Sequence, residues 1–163
     1  GGSGGGVARD EPGTPGQSTQ PTQPGNSGSY GFGNPGGTTD ATSGRSAGGG
    51  GGAGAAGQDA IPDGPSAPYP GTGGRGGVGK AYTIADGTTS VFYAGGGSGG
   101  SFWANAVDPS PCGTGGFGGT PTSGNRSGES GDANRGGGGG GAGNSPGQSS
   151  GGTGGKGIVI VRF

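Results

Sequence analysis

Six consecutive glycines occupy positions 136–141, five more occupy 48–52, and a broken tract, GGGSGG, fills 95–100. Nothing else in the chain constrains its fold as tightly. Glycine inside a helix costs about 1 kcal/mol relative to alanine, and it offers no side chain for a core to close upon. The strict Gly-X-Y period of collagen is broken by any run of six. What remains is a chain that coheres through its backbone. A polyproline-II-like glycine helix has three residues per turn, rises about 3.1 Å per residue and makes no internal hydrogen bonds. Its amides and carbonyls therefore point outward on every side and require partners when buried. With no Cβ atoms to hold them apart, such helices can lie side by side and bond to one another, assisted by Cα–H···O contacts.

The remaining composition makes this mode of cohesion necessary. Glycine supplies 55 of 163 residues and only 22% are hydrophobic, against roughly 45–50% apolar residues in an ordinary domain. A conventional core is out of reach. Low hydropathy ordinarily predicts disorder, but a net charge of −1 gives the chain no self-repulsion to keep it expanded. One glycine helix alone is marginal: ordering glycine costs about 0.5–1 kcal/mol more than ordering alanine, and a net hydrogen bond contributes about 0.5–1.5 kcal/mol. A packed set, bonded on several sides, can hold.

The chain also repeats itself. GGGGGAGAAG at 48–57 leads through a polar stretch to GTGGRGGVGKAYTI at 71–84, and GGGGGGAGNSPG at 136–147 leads likewise to GGTGGKGIVIVRF at 151–163. Each copy reads as glycine run, polar loop, GTGG with a following Arg or Lys, then strand. AYTIADGTTSVFYA, 81–94, predicts a β-hairpin around Asp86-Gly87. IVIVRF, 158–163, predicts a terminal strand apolar on both faces, with Ile158 and Ile160 on one side and Val159 and Val161 on the other. That strand, with Phe163, is expected to clasp the scaffold, the hairpin covering one face. The expected fold is irregular and non-helical: a bundle of polyglycine-II helices, a few short strands and long surface loops. An extended Pro/Gly-rich segment, 1–47, precedes a glycine-rich bundle domain, 48–163, whose two repeat copies (48–94 and 136–163) are separated by loop insertions. The chain opens inside a glycine tract and without methionine, the pattern of a truncated or processed piece.

Chemistry is sparse. There is no histidine, the commonest general base. Cys112, flanked by Pro109 and Pro111, reads as a small buried residue. GRGGVGKA at 74–81 has the GxxxxGK of a phosphate-binding loop but carries Ala81 where Ser or Thr should meet magnesium. ESGDAN, 129–134, lacks calcium-loop spacing. No cofactor, no metal and no enzymatic activity are expected. Eight basic residues scattered singly among nine acidic ones leave no nucleic-acid footprint, and no 18-residue apolar run predicts a membrane span.

The aromatic residues lie largely between the glycine tracts. There they either cap the bundle edges or supply rigid amphipathic contact area for a ligand. The contact candidates are Phe102, Trp103, Asn105 and Asp108 in SFWANAVDPSPCG (101–113), Asn125 and Arg126 in the next loop, and Tyr69.

GGTGGKGIVIVRF is similar to the closing sequence of the glycine-rich C-terminal domain of bacteriophage tail-fibre and adhesin proteins, and GVGKAYTIADGTTSVFYAGGGSGG (77–100) resembles the strand, turn and glycine tract of that domain. The first 70 residues match by composition only, and the family's usual hairpin before the first glycine run is absent. The resemblance implies a distal tail-fibre or tip-adhesin domain, in the virion or extracellular, that recognises a host-surface receptor (an outer-membrane protein or polysaccharide) through loops between glycine helices. Other tail-fibre or virion proteins would be partners, with homo-oligomerisation as a further option. The alternative from composition alone is a purely structural fibre or self-assembling extracellular filament.

Overall fold

The computed structural model describes residues 6, 14–18, 33–39, 46–61, 71–101, 114–120, 127–143, 149–161 and 163. Among them there is no helix of the α type, and the regular strands are β1 (Lys80–Tyr82) and β2 (Val91–Tyr93). Nearly everything else is extended chain, packed as parallel and antiparallel columns.

The columns bond at a fixed step. Ala47, Gly50 and Ala53 donate to the carbonyls of Gly100, Gly97 and Ala94 at 2.8–3.0 Å. Gly96 and Gly99 donate to Gly77 and Gly74, while Gly74 and Gly77 donate in turn to Ala47 and Gly50, all at 2.8–2.9 Å. Every rung advances three residues on both partners. That is the turn of a polyproline-II helix, not the two-residue alternation of a β-ladder. Columns 46–54, 95–101 and 71–79 therefore form a closed triangle in which each donates to the next.

A second triangle shares the 95–101 column. Ser98 and Ser101 donate to Gly116 and Gly119, these donate to Gly138 and Gly141, and those donate back to Gly95 and Ser98 at 2.8–3.2 Å. Outer columns dock by the same rule. Gln58 and Ile61 donate to Arg75 and Thr72, Gly57 and Ala60 to Pro35 and Thr38, and Gly128 and Gly131 to Ser150 and Thr153. Gly152 and Gly155 donate to Gly140 and Gly137. Residues 33–39 thus pack on the bundle although they lie upstream of its expected start at 48.

The interior is backbone. The buried hydrophobic side chains among the described residues are Ala53 and Ala60, while every residue of the shared column 95–101 is buried. Its close approaches show why glycine is needed: a Cβ on Gly99 would overlap the carbonyl oxygen of Ala47, and one on Gly49 would overlap that of Arg75. The buried side chains that remain are small and polar, and two act as surrogate carbonyls. Ser98 Oγ accepts from the Gly118 amide at 2.7 Å, and Thr114 Oγ1 accepts from the Gly95 amide at 2.8 Å. Ser46 Oγ and Thr72 Oγ1 are buried without a partner.

Larger side chains are confined to one edge of a column. In Thr72-Gly-Gly-Arg75-Gly-Gly-Val78 the glycine pairs are buried, Arg75 is exposed, and Thr72 and Val78 are half-buried. A three-residue period in which one residue faces out is the polyproline-II counterpart of an amphipathic helix.

The hairpin forms where expected, its first strand starting one residue before 81, with Lys80 opposite Tyr93, Ala81 opposite Phe92 and Tyr82 opposite Val91. The expected terminal strand does not form. Among the described residues of 158–163 there is no ladder, Val159 is 90% and Val161 73% exposed, and Phe163 is fully exposed. The column leading into it makes its last backbone rung where Gly136 donates to Lys156 (3.1 Å). Beyond that point Ile158 and Ile160 line an open groove together with hairpin residues, Ile158 remaining 49% exposed, so the two-sided burial expected of Ile158–Val161 is not achieved.

Gly99→Ala is expected to destabilise the fold by more than the roughly 1–3 kcal/mol of ordinary overpacking, because the obstacle is backbone. Ala142→Ser, on an exposed position, should change stability by less than about 0.5 kcal/mol. Denaturant unfolding of the two variants checks the contrast.

Candidate functional site

The seven contact candidates, Tyr69, Phe102, Trp103, Asn105, Asp108, Asn125 and Arg126, lie outside the described residues. Their anchors do not. Taking column 46–54 as running upward, the pairings make 71–79, 127–132 and 149–157 run up and 33–39, 55–61, 95–101, 114–120 and 136–143 run down. Thr39, Ser46, Ile61, Thr72, Ser101, Thr120, Ser127, Gly143 and Ser149 therefore gather at the lower end. Direct contacts tie this end together: Thr39 Oγ1 donates to the Ser46 carbonyl (2.8 Å), and Ser46 bridges Ser101 and Ile61 bridges Thr72. The described residues that flank positions 40–45, 62–70, 121–126 and 144–148 all lie at this end, whereas of those that flank 102–113, Ser101 lies here and Thr114 at the other.

The upper end is built differently, from short turns and the hairpin. The turn after Asp132 places Asn134 in the left-handed region (φ 61), followed by Gly136 (φ 66). This brings Arg135 against the hairpin. Its guanidinium lies 5.8 Å from the centroid of the Tyr93 ring, and its Nη1 donates to the Phe92 carbonyl at 3.3 Å. Ala94, also left-handed (φ 55), donates to the Arg135 carbonyl at 2.7 Å. Tyr82, Ile84, Tyr93, Arg135, Ile158 and Ile160 wall an open groove of about 390 Å³. It is apolar with one cation, a surface for packing and not for proton transfer.

The hairpin loop is fixed by a carboxylate. Asp86 Oδ1 accepts from the amides of Thr88 (2.8 Å) and Thr89 (2.7 Å), and Gly87, at φ 86, donates to the Thr83 carbonyl. The Thr89 hydroxyl and the Thr88 and Thr89 amides lower the Asp86 pKa to about 2. At the bundle edge, the Thr38 amide and hydroxyl hold the Asp59 carboxyl below the usual range. The phosphate-loop pattern at 74–81 is occupied by structure: the Gly74 and Gly77 amides that would face a phosphate are spent on the Ala47 and Gly50 carbonyls. Among the described residues no group of three metal-ligating side chains assembles.

The family description "glycine-rich domain" matches residues 1–163. The chain belongs to the glycine-rich domain family. No curated protein and no solved structure gives a significant match. What this glycine-rich domain has for a site is therefore read from its two ends. The groove at the upper end was not anticipated from the sequence; its signal is the outward tyrosine and isoleucine alternation of AYTI together with IVI.

The depressed Asp86 pKa carries a sign. Ionised Asp86 stabilises the hairpin loop at pH values above the ordinary carboxylate range, near 4. That contribution is lost as pH falls from there toward 2. NMR titration should place the Asp86 midpoint near 2, with cross-strand contacts between Ala81 and Phe92 weakening over the same interval. In Asp86→Asn this pH dependence should disappear.

Proposed function

We propose that this glycine-rich domain is a non-catalytic binding module at or near the end of a phage tail fibre, adhering to a receptor on the bacterial surface. The observation that carries this reading is the sorting of the chain: the described residues on both sides of four glycine-poor segments lie at one end, and a fifth such segment follows Ser101 there. The columns themselves leave no room for a site, because their interiors are backbone in contact with backbone. Recognition then belongs to segments whose ends are held in place by hydrogen-bonded columns and whose sequences can change without disturbing a rung. Tyr69, Asn125 and Arg126 sit in such segments, and Phe102, Trp103, Asn105 and Asp108 follow directly after the anchor Ser101. Tyrosine and tryptophan suit the task, joining rigid apolar area to a polar tip. The similarity of 77–100 and 151–163 to phage tail-fibre and adhesin domains supplies the receptor class: an outer-membrane protein or a surface polysaccharide.

The test is to replace 121–126 and 102–111 with glycine-serine linkers of equal length, leaving Ser101 and Ser127 in their columns. Adsorption of the labelled domain to susceptible cells should fall at least tenfold while the unfolding midpoint stays unchanged. Undiminished adsorption would contradict the proposal.

A further inference from the structure

The upper end exposes an apolar face that nothing in the described chain covers. Ile158 and Ile160 turn toward the groove, while Val159, Val161 and Phe163 stand in solvent. Tyr82, Ile84 and Phe92 nearby are each about two-fifths exposed. Val159, Val161 and Phe163 share the solvent side of the segment, opposite the groove side of Ile158 and Ile160. A full aromatic side chain carries about 150–250 Å², so this outward row alone presents on the order of 500 Å². That lies in the upper part of the roughly 300–600 Å² of the largest apolar patch on a typical monomer.

We propose that a second copy of this chain covers this face, the two 158–163 segments lying against each other. Two such rows set together would remove about 1,000 Å² from water, the lower bound of a specific interface. Three further features favour a second copy over a dissimilar partner. First, Ile158–Val161 and Phe163 make no backbone hydrogen bond within the described chain. An extended segment with open amides and a period-two apolar row is self-complementary under a two-fold axis, which sets the same row against itself in antiparallel pairing. Second, the column that feeds the tail presents Gly151, Gly154 and Gly157 outward, where a Cβ would meet nothing closer than 3.4 Å. Inside the bundle, glycine is required because another column lies there; here no column of the same chain does, and a column of a second copy would fit. Third, a net charge of −1 gives two copies little reason to repel.

The experiment is sedimentation equilibrium of the full chain and of V159D/V161D, at concentrations up to about 100 µM, above the micromolar range of weak standard-size interfaces. The wild type should show twice the chain mass and the variant the mass of a single chain. The variant's unfolding midpoint, extrapolated to low concentration, should match the wild type, since both side chains are exposed and neither segment joins a ladder. Gly154→Val should weaken dimerisation at least tenfold with the tail intact. A wild-type chain that remains monomeric throughout overturns the proposal. So does a dimer that V159D/V161D leaves unchanged.

Discussion

One interaction organises this molecule: an amide–carbonyl hydrogen bond between adjacent extended chains, repeated every third residue. A β-sheet spends its bonds in one plane and leaves two faces for side chains to bury. A polyproline-II column points its backbone groups in three directions, so columns bond laterally in two dimensions and the bundle needs no sheet-to-sheet core. The two donor triangles sharing 95–101 are the smallest expression of this rule. Each rung contributes only about 0.5–1.5 kcal/mol net, but a buried group left unpaired costs about 1–3 kcal/mol. Losing one column therefore strands the amides of its neighbours. Cooperativity arises from unmet backbone valence, where an ordinary domain derives it from exposed apolar surface.

The same constraint separates scaffold from surface. Where column meets column the described residues are mostly glycine, with a few alanines, serines and threonines. Side chains with chemistry are displaced to outward edges, such as Arg75, or to the column ends. The two ends then diverge: one collects the anchors of the glycine-poor segments, the other closes in tight turns, a short hairpin and an apolar tail. The proposed binding at the first and the proposed assembly at the second are compatible because hydrogen-bonded columns separate them.

Much of this was legible in the sequence. The runs at 48–52 and 136–141 exclude helices and collagen and imply backbone pairing, and Asp86-Gly87 marks the hairpin. The terminal segment was misjudged for a physical reason. A period-two apolar pattern reports that Ile158–Val161 must be covered on both faces, but does not say whether the same chain supplies both covers. Here the described chain leaves one face in solvent and the other lining an open groove. Column direction was illegible, because six glycines carry no polarity of pattern. The clearest signal left unused is the spacing of Thr72, Arg75 and Val78, repeated at Thr114, Phe117 and Thr120: one side chain per turn of a three-residue helix, which marks the conformation, although Thr114 and Thr120 are buried and only Phe117 of the second set faces out.

Hydrogen exchange at single-residue resolution tests the central claim most directly. In column 71–79 the Gly74 and Gly77 amides are donated to Ala47 and Gly50, while those of Arg75 and Val78 have no acceptor among the described residues. Gly74 and Gly77 should exchange at least a hundredfold more slowly than Arg75 and Val78, giving protection with a period of three. Uniformly fast exchange, or protection alternating every second residue, would contradict the account.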